Sequence, residues 1–160
     1  MKWVFSYGSL MWRPAIPYIM CRKASLLGWS RRFWQLSSDH RGTILNPGRV
    51  VTLVRDEQSR CVGVAFSIAD QNWEEVKINL DYREKNGYNR HFVKIAFDNN
   101  VSATALTYIA GPENPNYSPF AELSEKVVRG VSKAAGASGT NLEYLASLNG
   151  SLIDMGIEDY

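Results

Sequence analysis

Val62-Gly63-Val64-Ala65-Phe66-Ser67-Ile68 is the stretch that decides the fold class. Val62, Val64, Phe66 and Ile68 occupy alternate positions, the period of two that sends successive side chains to opposite faces of a strand, so one face of this run should be buried. Val50-Val51-Thr52-Leu53-Val54 is a second β-rich run just upstream, and the two are expected to pair as a hairpin. Residues 91–97 alternate similarly through Val93, Ile95 and Phe97, and Asp98-Asn99-Asn100 reads as the turn into a partner strand over 101–109. Near the start, aromatic and β-branched residues dominate 3–7 until Gly8-Ser9 ends that strand. Residues 24–35 look extended, and a polar loop marked by Gly and Pro follows over 37–48.

Three helices are expected among these strands. Residues 72–85 carry Trp73, Val76 and Leu80 at three- and four-residue spacing, with Asn72 three residues before Glu75 as a capping box and Gly87 as a stop. Residues 119–135 open with Ser118 as N-cap and Pro119 at the first helical position, place Phe120, Leu123, Val127, Val131 and Ala134 on one stripe, and end at Gly136. Residues 140–149 begin with the capping box Thr140-x-x-Glu143 and stop before Gly150. Strands and helices without regular βαβ alternation favour an α+β fold over a doubly wound parallel sheet. A chain of 160 residues is expected to form one domain spanning 1–160.

Composition narrows the functional classes. Hydrophobic residues at 45% and charged residues at 21% fit a globular chain and argue against disorder. Eighteen Lys and Arg against sixteen Asp and Glu leave a net charge of +2, too small an excess to call for nucleic acid. Cys21 and Cys61 are the only cysteines, without C-x-x-C spacing, which suits a reducing compartment. His40 and His91 are the only histidines, too few soft ligands for a closed zinc site, so no metal is expected. The apolar start is interrupted by Ser6, Gly8 and Ser9 and has no small-residue cleavage site, and no stretch nears the ~18 apolar residues of a membrane span. The expectation is a cytoplasmic protein with no membrane association and no obligate protein partner. G-x-G-x-x-G after a strand, G-x-x-x-x-G-K-[ST] and G-x-S-x-G are all missing from the sequence.

Two places invite chemistry. The first strand runs straight into Tyr7-Gly8-Ser9-Leu10, where successive backbone N–H groups form a concavity able to hold a carboxylate or an oxyanion; the same tetrapeptide also suits an ordinary tight turn. The second is Glu84, in Asp81-Tyr82-Arg83-Glu84-Lys85-Asn86-Gly87-Tyr88. At about 100° per residue it borders the apolar arc of Trp73, Val76 and Leu80, and it sits in the last helical turn. Desolvation and the negative end of the helix both push its pKa up, as suits a base that later acts as an acid. Pairing with a neighbouring Arg or Lys on a solvated face is the alternative. Glu75 points the opposite way. Arg31 and Arg32, beside Trp29, Phe33 and Trp34, read as solvent-facing arginines on a strand rather than as a nucleic-acid platform. His40 reads as a loop hydrogen-bonding residue, and His91 starts a strand.

Taken together, Val4-Phe5-Ser6-Tyr7-Gly8-Ser9-Leu10-Met11-Trp12, Ser30-Arg31-Arg32-Phe33-Trp34-Gln35, Asp39-His40-Arg41-Gly42, Pro47-Gly48-Arg49-Val50-Val51-Thr52-Leu53 and Asp81-Tyr82-Arg83-Glu84-Lys85 resemble the ChaC-like, glutathione-specific γ-glutamylcyclotransferases. Asn114-Pro115-Asn116-Tyr117 and Asn141-Leu142-Glu143-Tyr144-Leu145 extend the likeness towards the C-terminus. The resemblance implies an α+β fold with a mixed, barrel-like sheet and flanking helices. It implies a cofactor-independent lyase whose small-molecule substrate is glutathione and whose products are 5-oxoproline and Cys-Gly. It implies that Val4, Phe5, Ser6, Tyr7, Gly8, Ser9 and Leu10 form the substrate-binding stretch, with the Tyr-Gly-Ser-Leu part on the γ-glutamyl moiety, and that Glu84 is the proton acceptor. Arg41 either contacts a substrate carboxylate or forms a structural salt bridge; Tyr144 either approaches the substrate or packs in the core. Ser6 stands where the family usually has glycine, which bears on substrate fit. Asn86 replaces another usual glycine, and Asn tolerates left-handed backbone angles. Two rival readings are a cyclotransferase for other γ-glutamyl amino acids or γ-glutamylamines, and a non-catalytic γ-glutamyl-binding module.

Overall fold

In the computed structural model, which describes residues 1–157, five strands close a barrel. The last three residues of the expected 1–160 unit lie outside the described residues. The strands are β1 (Lys2–Ser6), β2 (Met20–Ser37), β3 (Gly48–Ile68), β4 (Asn89–Phe97) and β5 (Ser102–Ile109), in the order β1-β3-β2-β4-β5. β1 closes the ring by pairing parallel with β5 through Trp3↔Ala105 and Val4↔Leu106, whereas every other neighbour is antiparallel. Closure pairs the edges of β1 and β5 that an open five-stranded sheet would expose. β4 and β5 form the expected hairpin, with Asn100 left-handed (φ 60) in the turn between them.

The two β-rich runs around residue 60 do not pair with each other. They lie end to end on β3, and each pairs with β2: Leu53 faces Arg31, and Val62 faces Ser25. The intervening polar residues are an irregularity within the ladder, where the register steps from Trp29↔Arg55 to Leu27↔Arg60 around Gly28 (φ 78). Without a chain reversal, the expected hairpin becomes a single strand of 21 residues.

Nor is only one face of 62–68 buried. Cys61 and Ala65 point into the barrel with Phe5, Leu26, Leu53, Ile95, Phe97 and Ala105, while Phe66 and Ile68 pack outside it with Val4, Leu106 and the first helix. A barrel strand covered by a helix is buried on both sides, so its alternation separates two cores rather than core from solvent.

That helix, α1 (Trp73–Arg83), lays Trp73, Val76 and Leu80 on the outer wall as the spacing predicts. Asn72 makes no side-chain cap, since a 3-10 turn over Asp70–Asn72 precedes the helix and holds it in helical geometry. The second helix is shorter than expected: α2 spans Glu125–Lys133 and is capped by Ser124, whose hydroxyl accepts from the Val127 amide. Ser118 is instead drawn to the barrel, where its carbonyl and hydroxyl accept from Arg49, so 119–124 stays non-helical. Leu123 of the expected stripe is exposed; only Ala134, past the helix end, is buried. Short strands β6 (Ala135–Gly136) and β7 (Gly139–Thr140) then lead into α3 (Asn141–Asp154). Its Thr140–Glu143 capping box is present in both directions, and it runs through Gly150 without stopping. Tyr144, Leu148 and Leu152 of α3 join the barrel's interior cluster. Among the described residues no helix is long and apolar enough to cross a membrane.

Leu80 is 1% exposed against the outer wall, and its carbonyl accepts from the Glu84 amide. Leu80→Ala should cost about 2–5 kcal/mol through the cavity it opens. Chemical denaturation would measure the loss, and a cost below about 1 kcal/mol would show that α1 is not anchored through this side chain.

Candidate active site

The end of β1, a bulge in β2 and the end of α1 converge on one cavity of about 400 Å³. That size suits a small-molecule ligand. Its lining includes every residue that the family resemblance points to for the site: Val4, Phe5, Ser6, Tyr7, Gly8, Ser9, Leu10, Arg41, Glu84 and Tyr144. After β1 the chain turns through Gly8 into a 3-10 turn over Ser9–Met11, with the Met11 amide donating to the Gly8 carbonyl at 2.9 Å. The first amides of such a turn have no acceptor within it, which leaves Gly8, Ser9 and Leu10 N–H outside the turn's own bonding. A side chain at Gly8 would begin 3.2 Å from Val51 Cγ2 and 3.5 Å from the Tyr144 hydroxyl.

Glu84 is the C-cap of α1, its amide still bound to the Leu80 carbonyl at 2.9 Å. About a fifth of its side chain is exposed, at 21%. Burial raises its pKa; Arg83, whose Nε lies 3.7 Å from Glu84 Oε1, pulls it back, and the Asp39 charge pushes it further up. The arginine pairing considered from the sequence is therefore present, but at a largely buried carboxylate. Glu75, by contrast, is exposed. Arg83 also donates to Ser9 Oγ at 2.7 Å, tying the loop after β1 to the helix end that carries Glu84. Asp39 is partly desolvated, yet hydrogen bonds from the His40 amide and the Asn86 side chain outweigh that and hold its pKa below the ordinary value.

Left-handed geometry falls on Gly87 (φ 111) rather than on Asn86, so the tolerance argued for Asn86 is not called upon. Its side chain reaches Asp39 instead. At Gly87 even a methyl group would collide with the Asn114 amide, which donates to the Gly87 carbonyl at 2.5 Å.

Tyr144 meets both descriptions offered for it. It packs edge-on against Trp12 and Phe33 inside the barrel and also borders the cavity, its hydroxyl accepting from the Val51 amide at 3.2 Å. Burial pushes its pKa up to about 12, so the phenol stays protonated. Arg41 is buried, with Nη1 3.1 Å from the Thr140 carbonyl and 3.7 Å from Glu143 Oε2; the salt bridge exists and the side chain still faces the cavity. Arg31 corrects the solvent-facing expectation. It is buried, and donates from Nε to the Tyr7 carbonyl at 2.8 Å and from Nη2 to the Val62 carbonyl at 2.6 Å. His40 does hydrogen-bond in its loop, to Ser138 Oγ at 2.9 Å, while His91 stands exposed on β4.

Tyr88, Gln35, Asp39 and Arg83 also line the cavity and were not singled out. Tyr88 donates to the Val51 carbonyl at 2.7 Å. A readable signal existed for Gln35, a polar residue two positions beyond an inward-facing Phe33, whereas Tyr88 in a loop offered none. Among the described residues no group of three or more His, Cys, Asp or Glu side chains is placed to hold a metal ion.

The mixed five-stranded barrel is the fold of solved γ-glutamylcyclotransferases. Residues 2–160 match the family described as ChaC-like protein, and the chain belongs to that family. It is 36% identical over 165 residues to γ-glutamylcyclotransferase 2-3 of Arabidopsis thaliana, covering 98% of this chain and 82% of that one. It is 39% identical over 151 residues to glutathione-specific γ-glutamylcyclotransferase 1 of Rattus norvegicus, covering 91% and 67%. A crystal structure of a yeast γ-glutamylcyclotransferase specific to glutathione superposes with a TM-score of 0.90 at 28% identity, covering 98% of this chain and 89% of that one.

A raised carboxyl pKa makes the folded state the better proton binder, so Glu84 lowers stability as pH rises from below the ordinary glutamate value through its own raised one. Glu84→Gln should therefore melt at a higher temperature than the parent protein above that window and at the same temperature below it. Melting curves across pH would check this, and a variant less stable at neutral pH would contradict the assigned balance of burial over Arg83.

Proposed function

We propose that this chain is a γ-glutamylcyclotransferase that cleaves glutathione to 5-oxoproline and Cys-Gly. The observation that carries the reading is the partly desolvated Glu84 carboxylate opening into the same cavity as the Tyr7–Leu10 loop. The substrate's α-amine attacks its own γ-carbonyl; the new C–N bond closes a five-membered ring while the amide bond to cysteine breaks. Glu84 takes a proton from the attacking amine and returns it to the departing nitrogen. No water enters the product and no cofactor is required. Because nucleophile and electrophile belong to one molecule, selecting the folded conformer is the main task, and such proximity can supply effective molarities of about 10⁵ M.

In this reading the Gly8, Ser9 and Leu10 amides hold anionic oxygen, either the substrate carboxylate or the developing oxyanion, and Val4, Phe5 and Ser6 form the floor beneath it. Arg41 and Tyr144 bound the same space, with the Tyr144 phenol protonated and so able to donate. The relatives named for glutathione support that substrate over other γ-glutamyl compounds. The carboxylate at Glu84 argues against a binding module without catalysis. A cytoplasmic setting belongs to the same proposal, supported by the exposed free thiol of Cys21. One domain over 1–160 and action without a macromolecular partner complete it.

Incubation with glutathione should release equimolar 5-oxoproline and Cys-Gly; free glutamate would indicate hydrolysis and rule out ring closure. Glu84→Gln should lower kcat by roughly 10² to 10⁴ with substrate affinity within a few fold, and Glu75→Gln should keep most activity. The reverse pattern in steady-state kinetics would refute the role given to Glu84.

Gly8→Val places branched methyl groups against Val51 and the Tyr144 hydroxyl, so it should fold yet show no measurable substrate binding by calorimetry. Unchanged affinity would reduce the loop to a turn.

A further inference from the structure

One polar atom on the cavity wall is left unsatisfied by the fold. Gln35 is 1% exposed and lines the cavity together with Tyr7, Glu84, Tyr88 and Tyr144. Its Oε1 has no hydrogen-bond partner and is the only buried side-chain nitrogen or oxygen in that condition among the described residues. The backbone beneath it is fixed on both sides, by Val50 of β3 and by a bridge to Tyr117. A buried acceptor without a donor destabilises a fold, and an acceptor held rigidly in a ligand-sized cavity is explained when the ligand supplies the donor.

We propose that Gln35 Oε1 accepts a hydrogen bond from the α-amine of the γ-glutamyl group and so aims its lone pair at the γ-carbonyl. The inference rests on the cyclotransferase reading above. A neutral amine has two N–H bonds and one lone pair. In the reactive conformer the lone pair faces the γ-carbon and one N–H faces Glu84, which leaves the second N–H in need of an acceptor. Lacking one, the amine rotates about its Cα–N bond and spends most of its time misaligned, and small misplacements of reacting atoms cost rate steeply. As the ring closes, the proton facing Glu84 moves to the carboxylate and on to the departing nitrogen. The N–H held by Gln35 remains and becomes the ring N–H of 5-oxoproline, so the contact outlasts the leaving group.

Gln35→Met keeps the side-chain length and removes the acceptor without opening a large cavity. Its kcat on glutathione should fall roughly 10- to 100-fold, the effect of losing one orienting hydrogen bond, with KM within a few fold. Its melting temperature should equal or exceed that of the parent protein, since the orphaned acceptor is gone. The variant should also bind 5-oxoproline several-fold more weakly in calorimetry. A melting temperature that drops together with activity would assign Gln35 a structural role and overturn the proposal, as would activity within twofold of the parent protein. Lost activity with unchanged 5-oxoproline binding would move the contact to the departing amide and overturn the α-amine assignment. A parent protein inert toward glutathione would refute the cyclotransferase reading and this inference with it; an active parent with an unaffected variant refutes the inference alone.

Discussion

The backbone N–H and carbonyl of Val51 each meet a tyrosine hydroxyl. In the β2–β3 ladder Arg32 pairs with Thr52 and Gln35 with Val50, so the bulge sets two residues of β2, Phe33 and Trp34, against the single Val51. Buried peptide groups without partners cost about 1–3 kcal/mol each. Two tyrosines answer the need: the Tyr144 hydroxyl accepts from the amide and the Tyr88 hydroxyl donates to the carbonyl. The first bond seats α3 in the barrel mouth. The second holds the segment after α1, where the Tyr88 amide in turn donates to the Glu84 carbonyl at 3.2 Å. Glu84, on the cavity wall, is thus tied through Tyr88 to a strand distant in sequence.

Around that carboxylate three influences compete. Burial raises its pKa most, Asp39 adds to the rise, and Arg83 opposes it. Each is tied to a second element: Asp39 is kept charged by the His40 amide and Asn86, and Arg83 is shared with Ser9 Oγ. In the role proposed for Glu84, a group that accepts and returns one proton works best when neither state is strongly preferred, and opposed neighbours achieve that better than burial alone. The same shared bonds connect the loop after β1, the loop after β2 and the end of α1, so charge balance and position are set together.

Period-two alternation in 91–97, and the Trp73, Val76 and Leu80 spacing, announced the β4–β5 hairpin and α1 because each has one simple buried face. The Thr140–Glu143 box was legible for a local reason, since both partners lie within one helical turn. The β2–β3 ladder was harder. In β2 burial falls on Ala24 and Leu26, then on Arg31, Gln35 and Ser37; the phase changes from even to odd positions across Gly28, where the register also shifts. A pattern that changes phase inside one strand looks like two short strands or none, and Arg31 was accordingly assigned to the wrong side. Ser118 failed as a cap because Arg49, far away in sequence, competes for it. In the cavity, Glu84 and the glycine loop were visible as sequence motifs, whereas Tyr88 and Asp39 acquire their places only through bonds to Val51 and Asn86.

Regular structure uses up its own donors and acceptors, so a cavity that must grip a small polar molecule has to be built where regular structure fails. The cavity lies at such breaks, and the proposed contacts come from them: the amides of Gly8, Ser9 and Leu10 follow the end of β1, Gln35 adjoins the β2 bulge, and Glu84 is the residue at which α1 stops. Each such break weakens the fold locally, and the closed barrel, with cores on both sides of β3, can bear several of them close together. A ring closure within one substrate suits such a site, because it needs no nucleophile from the protein. It needs fixed handles that hold an amine, a carbonyl and a proton acceptor in one geometry, and fixed handles are what the interruptions of a rigid barrel provide.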